Sequence, residues 1–138
     1  MRKVPSWDQY FMDLAVAVST RSKDPFTQVG CLIVDKDNHI IGTGYNGMAP
    51  GTVETPELWE RPTKYKHVRH AERNALDHCT RDPYKATVYL TMYPCPECAE
   101  ALAAYPVSKI YYLDERYKTE KAAALFRACG IECFQLVK

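Results

Sequence analysis

Helix-like and strand-like stretches alternate along this chain, and their order restricts the fold more than any single residue does. Ser6 and Asp8 open a predicted helix through Thr20, whose apolar residues are spaced for one buried stripe. Apolar runs on either side of the turn 35–38 predict a hairpin of strands 29–34 and 39–45. The remaining predicted elements are a helix near 70–80, a strand over 86–92, a helix over 96–105, a strand over 107–113, a helix over 120–129 ended by Gly130, and a strand over 131–137. This order predicts an α/β fold with a mixed five-stranded sheet covered by helices, in which helix-linked strands run parallel through right-handed crossovers.

The segment 47–67 interrupts this alternation with a proline-rich connection. A connection of this length is unusual in a compact domain unless it carries function or has some structure of its own. We therefore expect the segment to be functional or partly structured.

Length, charge and cysteine content argue against several classes of protein. A chain of 138 residues predicts a single domain (1–138) that buries a core without staples. A formal net charge of +1 gives no sign of a surface for long nucleic acid, and no apolar run is long enough for a membrane span. The N-terminus lacks the apolar segment of a secretion signal, so the expected location is the cytoplasm, or the host cytoplasm if the protein is viral. In that compartment the six cysteines are not expected to form disulfides.

A histidine and a glutamate, His70 and Glu72, stand two residues apart at the start of a predicted helix. This spacing turns the side chains about 200° apart, so the pair does not form a salt bridge along one helix face. Cys95 and Cys98 stand at the start of another helix, where Pro96 suits the first turn and the helix dipole favours the thiolate. If the two helix starts meet, His70, Cys95 and Cys98 give a zinc site with three protein ligands, which keeps one position open for water. Glu72 then transfers protons between the water, the substrate and the leaving group.

Each half of this pattern has a simpler explanation when taken alone. A Cys-x-x-Cys pair before a helix also occurs in redox proteins, and an isolated His-x-Glu carries little meaning. Together, H-x-E and P-C-x-x-C are typical of zinc deaminases, which act on cytosine or adenine. Three functions remain open at this point: a deaminase of a free nucleotide or nucleoside, a base deaminase acting on tRNA or single-stranded DNA, and a metal or redox module without enzymatic activity. The small net charge argues against a polynucleotide channel, and a redox module leaves His70 and Glu72 unexplained.

Four separated segments extend the similarity beyond this motif. They are RSKDPFTQVG at 21–30, GTGYNGMAPG at 42–51, TKYKHVRHAERNAL at 63–76 and YPCPECA at 93–99. In this order they resemble the deoxycytidylate (dCMP) deaminase family, in the short form of viruses and phages. The resemblance implies the cytidine-deaminase fold, a three-layer α/β/α sandwich, and hydrolysis of dCMP to dUMP and ammonia, which feeds thymidylate synthesis. It also implies a homo-oligomer, often a hexamer, that dCTP activates and dTTP inhibits, each bound with Mg²⁺.

The resemblance also implies roles for individual residues. It implies that His70, Cys95 and Cys98 bind zinc and that Glu72 transfers protons. The residues implied to contact the substrate are Asn46 (sugar), Ala71 (backbone N–H to the base carbonyl), Pro94 (carbonyl to the exocyclic amine) and Tyr117 (pocket wall). A separate effector site is implied around Arg21, Lys23, Asp24, Asn46 and Gly47. Some relatives hold a second, structural zinc with a cysteine near Thr52. No cysteine lies between Cys31 and Cys79 in this chain, which predicts one zinc per chain.

A phosphate on the substrate requires a cation at the pocket. The segments expected to rim the pocket contain Arg21, Lys23, Lys64, Lys66, Arg116 and Lys118, and the stretch before the metal helix adds Arg61 and Arg69. These cations favour dCMP over deoxycytidine as substrate, but their positions in the sequence do not decide which of them binds the phosphate.

Overall fold

Residues 1–137, the part of the chain that the computed structural model describes, form four α-helices and seven strands. The helices are α1 (Trp7–Ser19), α2 (Ala71–Asp77), α3 (Pro96–Ala104) and α4 (Glu120–Cys129). The strands are β1 (Gly30–Val34), β2 (Ile40–Tyr45), β3 (Gly47–Met48), β4 (Val68–Arg69), β5 (Thr87–Met92), β6 (Lys109–Asp114) and β7 (Glu132–Gln135). With 13 residues α1 is the longest of these helices, and none of them is long and apolar enough to cross a bilayer.

Five of the strands form one mixed sheet in the order β2-β1-β5-β6-β7. β1 pairs antiparallel with both β2 and β5, so β2 and β5 run in the same direction. The connection from β2 to β5 includes α2. β5, β6 and β7 pair in parallel. The helix-linked strands are therefore parallel, and the predicted five-stranded mixed sheet is confirmed.

Alternating side chains of β1 separate two cores. On one face of the sheet Leu32 packs in a cluster with Phe11 of α1. On the other face Ile33 joins a larger cluster to which α2, α3 and α4 contribute the buried residues Ala75, Leu102 and Phe126. The sheet thus lies between α1 on one side and three helices on the other, which is the predicted three-layer α/β/α sandwich.

A glycine in β2 allows α2 to lie directly on the sheet. A Cβ atom at Gly44 would lie 2.3 Å from the backbone nitrogen of Ala75 and 2.4 Å from the carbonyl oxygen of Ala71. These distances are shorter than nonbonded contacts, so a larger residue at Gly44 would push the first turn of α2 away from β2. The close approach fixes the helix start that carries the His-x-Glu motif.

The segment 47–67 has structure of its own, as the sequence predicts. Its ends are joined by β3 and β4, which pair antiparallel. Between them lie two short 3₁₀ helices, Pro56–Trp59 and Thr63–Lys66. The sequence pattern missed β3 and β4 because strands of two residues are too short to show a hydrophobic period.

Two predicted elements are at least three residues longer than the observed ones. α2 ends at Asp77 and not near Thr80, because the backbone N–H of Thr80 donates to the Ile41 carbonyl at 2.8 Å and draws the chain towards β2. The last strand covers Glu132–Gln135 and not 131–137, since β7 lies at the sheet edge and pairs with β6 over four residues only.

Candidate metal centre and substrate cavity

The three predicted metal ligands meet where α2 and α3 begin. His70 is the N-cap residue of α2, and its side chain makes no capping hydrogen bond, which leaves the ring free to bind elsewhere. Cys95 is the N-cap residue of α3, with Pro96 in the first turn. The Nδ1 atom of His70 lies 3.4 Å from Cys95 Sγ and 3.3 Å from Cys98 Sγ.

The spacing of these atoms fits a tetrahedral zinc ion. With Zn–S near 2.3 Å and Zn–N near 2.0–2.1 Å, tetrahedral coordination places the nitrogen and each sulfur about 3.6 Å apart. The observed distances of 3.3 and 3.4 Å are close to this value, and all three ligand atoms lie within 4.8 Å of one another. Two thiols and one imidazole are ligands that zinc prefers, and three ligands leave a fourth position for a reactant. Within residues 1–137 this is the one group of three or more such side chains close enough to share an ion.

Charge at the cluster favours the ligand form of one thiol, that of Cys95, whereas the hydrogen bond with Cys95 and burial raise the pKa of the Cys98 thiol. The hydrogen bond from Cys98 and a further one from His70 lower the pKa of the Cys95 thiol to about 4, against the opposing effect of burial. The hydrogen bond with Cys95 in turn raises the pKa of His70. A thiolate at Cys95 is the state that binds metal, so the local electrostatics prepare this residue for zinc.

Glu72 lies in the first turn of α2, beside the cluster but outside its ligand set. Its side chain is buried, with 4% of the residue exposed, and burial raises the pKa of its carboxyl group. A carboxyl group whose pKa lies closer to neutral can both accept and release a proton during a reaction. The role of Glu72 in proton transfer stays a prediction.

A cavity of about 460 Å³ opens beside the cluster. Its lining residues include His70, Ala71, Glu72 and Cys95 of the two helix starts, together with Asn46 and Tyr117. Pro94 is buried and is not one of the lining residues, although Tyr93 and Cys95 on either side of it are. A cavity of this size takes a small ligand such as a nucleotide.

The amide of Asn46 is held by the protein itself. Its Oδ1 accepts the backbone N–H of Val29 at 2.8 Å, and its Nδ2 donates to the carbonyl of Thr27 at 2.8 Å. The same Nδ2 lies 3.4 Å from Asp24 Oδ2. Asn46 therefore ties the two loops that form this wall, and its predicted contact with the sugar stays a prediction.

Lys64 and Asp24 form an ion pair of 2.8 Å at the cavity, with side chains only 6% and 3% exposed. Burial alone would raise the pKa of Asp24, but hydrogen bonds from Lys64 and from the backbone amides of Phe26 and Thr27 outweigh it and lower the pKa. The sequence analysis missed this pair, because Lys64 stands among exposed basic residues and its partner lies 40 positions earlier. A lysine flanked by other cations gives no local signal of burial.

The residues of the predicted effector site do not form one cluster apart from the cavity. Asp24 and Asn46 line the cavity itself, and Gly47 follows in β3. Lys23 pairs with Glu54 at 2.7 Å on the surface, and Arg21 is exposed. Asp24 and Asn46 thus belong to the cavity wall, and the binding of an effector by this set of residues stays a prediction.

Comparison with known proteins bears directly on this site. The family described as the cytidine and deoxycytidylate deaminase zinc-binding region matches residues 5–114, a stretch that includes both halves of the motif. The chain belongs to the cytidine and deoxycytidylate deaminase family. The predicted resemblance to this deaminase family and the predicted zinc-binding deaminase domain are therefore confirmed.

Several relatives of this deaminase family member carry a more specific name. A probable deoxycytidylate deaminase of Caenorhabditis elegans is 44% identical over 114 residues, which cover 78% of this chain but only 57% of the worm protein. The deoxycytidylate deaminase of Mycobacterium phage D29 is 35% identical over 126 residues, which cover 80% of this chain and 97% of the phage protein. The structure of the dCMP deaminase from cyanophage S-TIM5 in complex with dCMP and dUMP matches with a TM-score of 0.82 at 26% identity, over 98% of this chain and 100% of that one.

Proposed function

We propose that residues 1–138 form one catalytic domain that hydrolyses dCMP to dUMP and ammonia, with one zinc ion per chain, and so feeds thymidylate synthesis. The observation that carries the proposal is the position of Glu72, a buried carboxyl group on the wall of a cavity that His70 and Cys95 also line. The similarity to a phage dCMP deaminase bound to dCMP and dUMP supports the choice of substrate.

Each residue of the proposed site has a separate task. His70, Cys95 and Cys98 would hold the zinc, which when bound acts as a Lewis acid that activates water for attack on the ring carbon bearing the amine. The Glu72 carboxylate takes a proton from the water and delivers protons to the ring nitrogen and the departing amine, which leaves as ammonia. The backbone N–H of Ala71 and a carbonyl at or near Pro94 orient the base, and Tyr117 closes the outer part of the cavity.

The charge of the chain supports a free mononucleotide as the substrate. A deaminase of tRNA or single-stranded DNA needs a basic groove with stacking aromatic rings, and the net charge of +1 offers little attraction for a polyanion. A cavity of about 460 Å³ with two cationic side chains at its wall suits a single nucleotide better.

Regulation, assembly and location are further parts of the proposal. We infer a homo-oligomer, with a hexamer favoured, that dCTP activates and dTTP inhibits, each with Mg²⁺; this part rests on the family resemblance. Asp24 already accepts hydrogen bonds from Lys64 and two backbone amides, so a nucleotide–Mg²⁺ complex that used Asp24 would have to displace Lys64. The free state of all six cysteines supports a reducing compartment, the cytoplasm or the host cytoplasm.

A panel of substrates tests the proposed function. Ammonia release is measured with dCMP, CMP, deoxycytidine, dCTP and a tRNA stem-loop at matched concentrations. The proposal predicts the highest kcat/KM for dCMP. A higher value for the stem-loop would assign the site to polynucleotide editing, and thiol–disulfide activity without ammonia release would assign it to redox chemistry.

A further inference from the structure

Two cationic side chains line the cavity, Arg61 and Lys64, and their surroundings differ. The Lys64 ammonium is buried and lies 2.8 Å from the Asp24 carboxylate. An incoming phosphate that took this charge from Asp24 would leave a buried carboxylate without its partner, which carries a large penalty. The positive charge of Lys64 therefore neutralises Asp24 and is not available to a phosphate.

Arg61 lies on the exposed side of the same cavity, and its charge is free. None of the ion pairs formed among residues 1–137 includes Arg61. Its guanidinium carbon lies over the Phe26 ring, 4.5 Å from the ring centre. Stacking through the face of the guanidinium leaves the N–H groups at its edge available for an anion.

The buried ion pair fixes the ring on which Arg61 rests. Asp24 Oδ1 accepts the backbone N–H of Phe26 at 2.8 Å, so the carboxylate that Lys64 neutralises also holds the backbone of Phe26. The Lys64 ammonium itself lies 4.9 Å from the centre of the Phe26 ring. Lys64 and Asp24 therefore act on Arg61 indirectly, through the position of Phe26.

We propose that Arg61, stacked on Phe26, binds the 5′-phosphate of the nucleotide substrate, and that Phe26 is its positioning residue. This inference rests on the proposed function, because it assigns one group of the substrate to one cation of the same cavity. A guanidinium presents parallel N–H donors that match two phosphate oxygens, which a single ammonium does not. Among the cations considered from the sequence, Lys64 is buried in an ion pair and Arg116 lies 3.0 Å from Asp114, whereas Arg61 is unpaired within the described part of the chain.

The test compares two substrates that differ only in the phosphate. Arg61→Gln should lower kcat/KM for dCMP by about 10- to 150-fold, the value of a charge-assisted contact, and leave kcat/KM for deoxycytidine unchanged. Phe26→Leu removes the ring but no charge and should lower the ratio of the two kcat/KM values by about 2- to 5-fold. Lys66→Gln is the matched control, because Lys66 is exposed on the same segment but does not line the cavity. Thermal midpoints of all variants show whether the fold is kept.

The outcomes separate this inference from the proposed function. Unchanged dCMP kinetics in Arg61→Gln, or an equal loss with dCMP and deoxycytidine, would overturn the assignment of the phosphate to Arg61 while the deaminase function stands. An equal loss for dCMP in Lys66→Gln would also overturn it, because general surface charge would then explain the effect. A wild-type protein that does not deaminate dCMP would overturn the proposed function and this inference together.

Discussion

Lys64→Met removes one partner of the buried Asp24–Lys64 ion pair, and we expect it to destabilise the protein strongly. Methionine keeps most of the length and apolar volume of lysine, so the main change is the loss of one charge. The Asp24 carboxylate, with its side chain 3% exposed, is then left in the protein interior without a counter-charge. Removing one partner of a buried ion pair costs about 3–5 kcal/mol in the free energy of unfolding.

The size of the effect makes it easy to measure by thermal unfolding. Unfolding entropies of about 2.1 cal/mol/K per residue convert 3–5 kcal/mol into a fall in Tm of about 10–17 °C for a domain of this length. Lys23→Met is the matched control, since Lys23 pairs with Glu54 at 2.7 Å but has a side chain that is 64% exposed. An exposed pair of this kind contributes at most about 1 kcal/mol, so the control should lose no more than about 3 °C.

A double variant and a pH series distinguish the lost charge pair from lost packing. Asp24→Asn combined with Lys64→Met removes both charges, keeps an oxygen for the backbone amides of Phe26 and Thr27, and should recover most of the loss. The pKa of Asp24 is lower in the folded protein than in the unfolded chain. The ionised Asp24 carboxylate therefore stabilises the fold fully above the unfolded pKa of about 3.9, and this stabilisation is lost as the pH falls through the lower folded pKa. The difference between wild type and Lys64→Met should therefore shrink below about pH 4. A loss in Lys64→Met no greater than in Lys23→Met, or one that does not change with pH, would refute the reasoning.

Three further predictions concern the metal, the substrate and the effectors. A strong chelator should abolish activity before the domain unfolds, because both cores are built from apolar residues and neither includes His70, Cys95 or Cys98. Cooperative unfolding on chelation, or two zinc ions per chain, would contradict this. The kcat/KM for dCMP should exceed that for deoxycytidine by about 10- to 150-fold, and equal values would favour a nucleoside deaminase. Addition of dCTP should turn sigmoidal dCMP kinetics hyperbolic, and dTTP should inhibit; identical curves with and without both nucleotides would refute the proposed regulation.

The metal cluster was predictable because its signal is local. Each half of the motif occupies a few positions at the start of a helix, and Pro96 marks one of these starts. The mixed sheet and the parallel direction of its helix-linked strands followed from the alternation of elements, since helix-linked strands in one sheet run parallel. Both inferences use rules that act over short stretches of chain, and the structure brings His70, Cys95 and Cys98 together as expected.

The outer wall of the cavity was not predictable in the same way. The partners Asp24 and Lys64 lie on two irregular segments, and no periodic pattern records which of several lysines is buried. The same limit applies to Arg61, whose difference from Lys66 depends on the path of the 47–67 segment across the cavity. Loop conformation is fixed by such long-range contacts and not by residue type, so these roles needed the three-dimensional structure.

The most direct test of the central claim measures zinc content and dCMP turnover together in wild type and Glu72→Gln. Glu72 lies outside the ligand set of His70, Cys95 and Cys98, so the variant should keep one zinc per chain. Its rate of dUMP formation should fall by at least about 10²- to 10⁴-fold, because the amide does not transfer protons. Glu97→Gln, which changes the exposed acid between Cys95 and Cys98, is the control and should keep a rate close to that of wild type. A Glu72→Gln protein with full zinc and a near-normal rate would contradict the assigned mechanism.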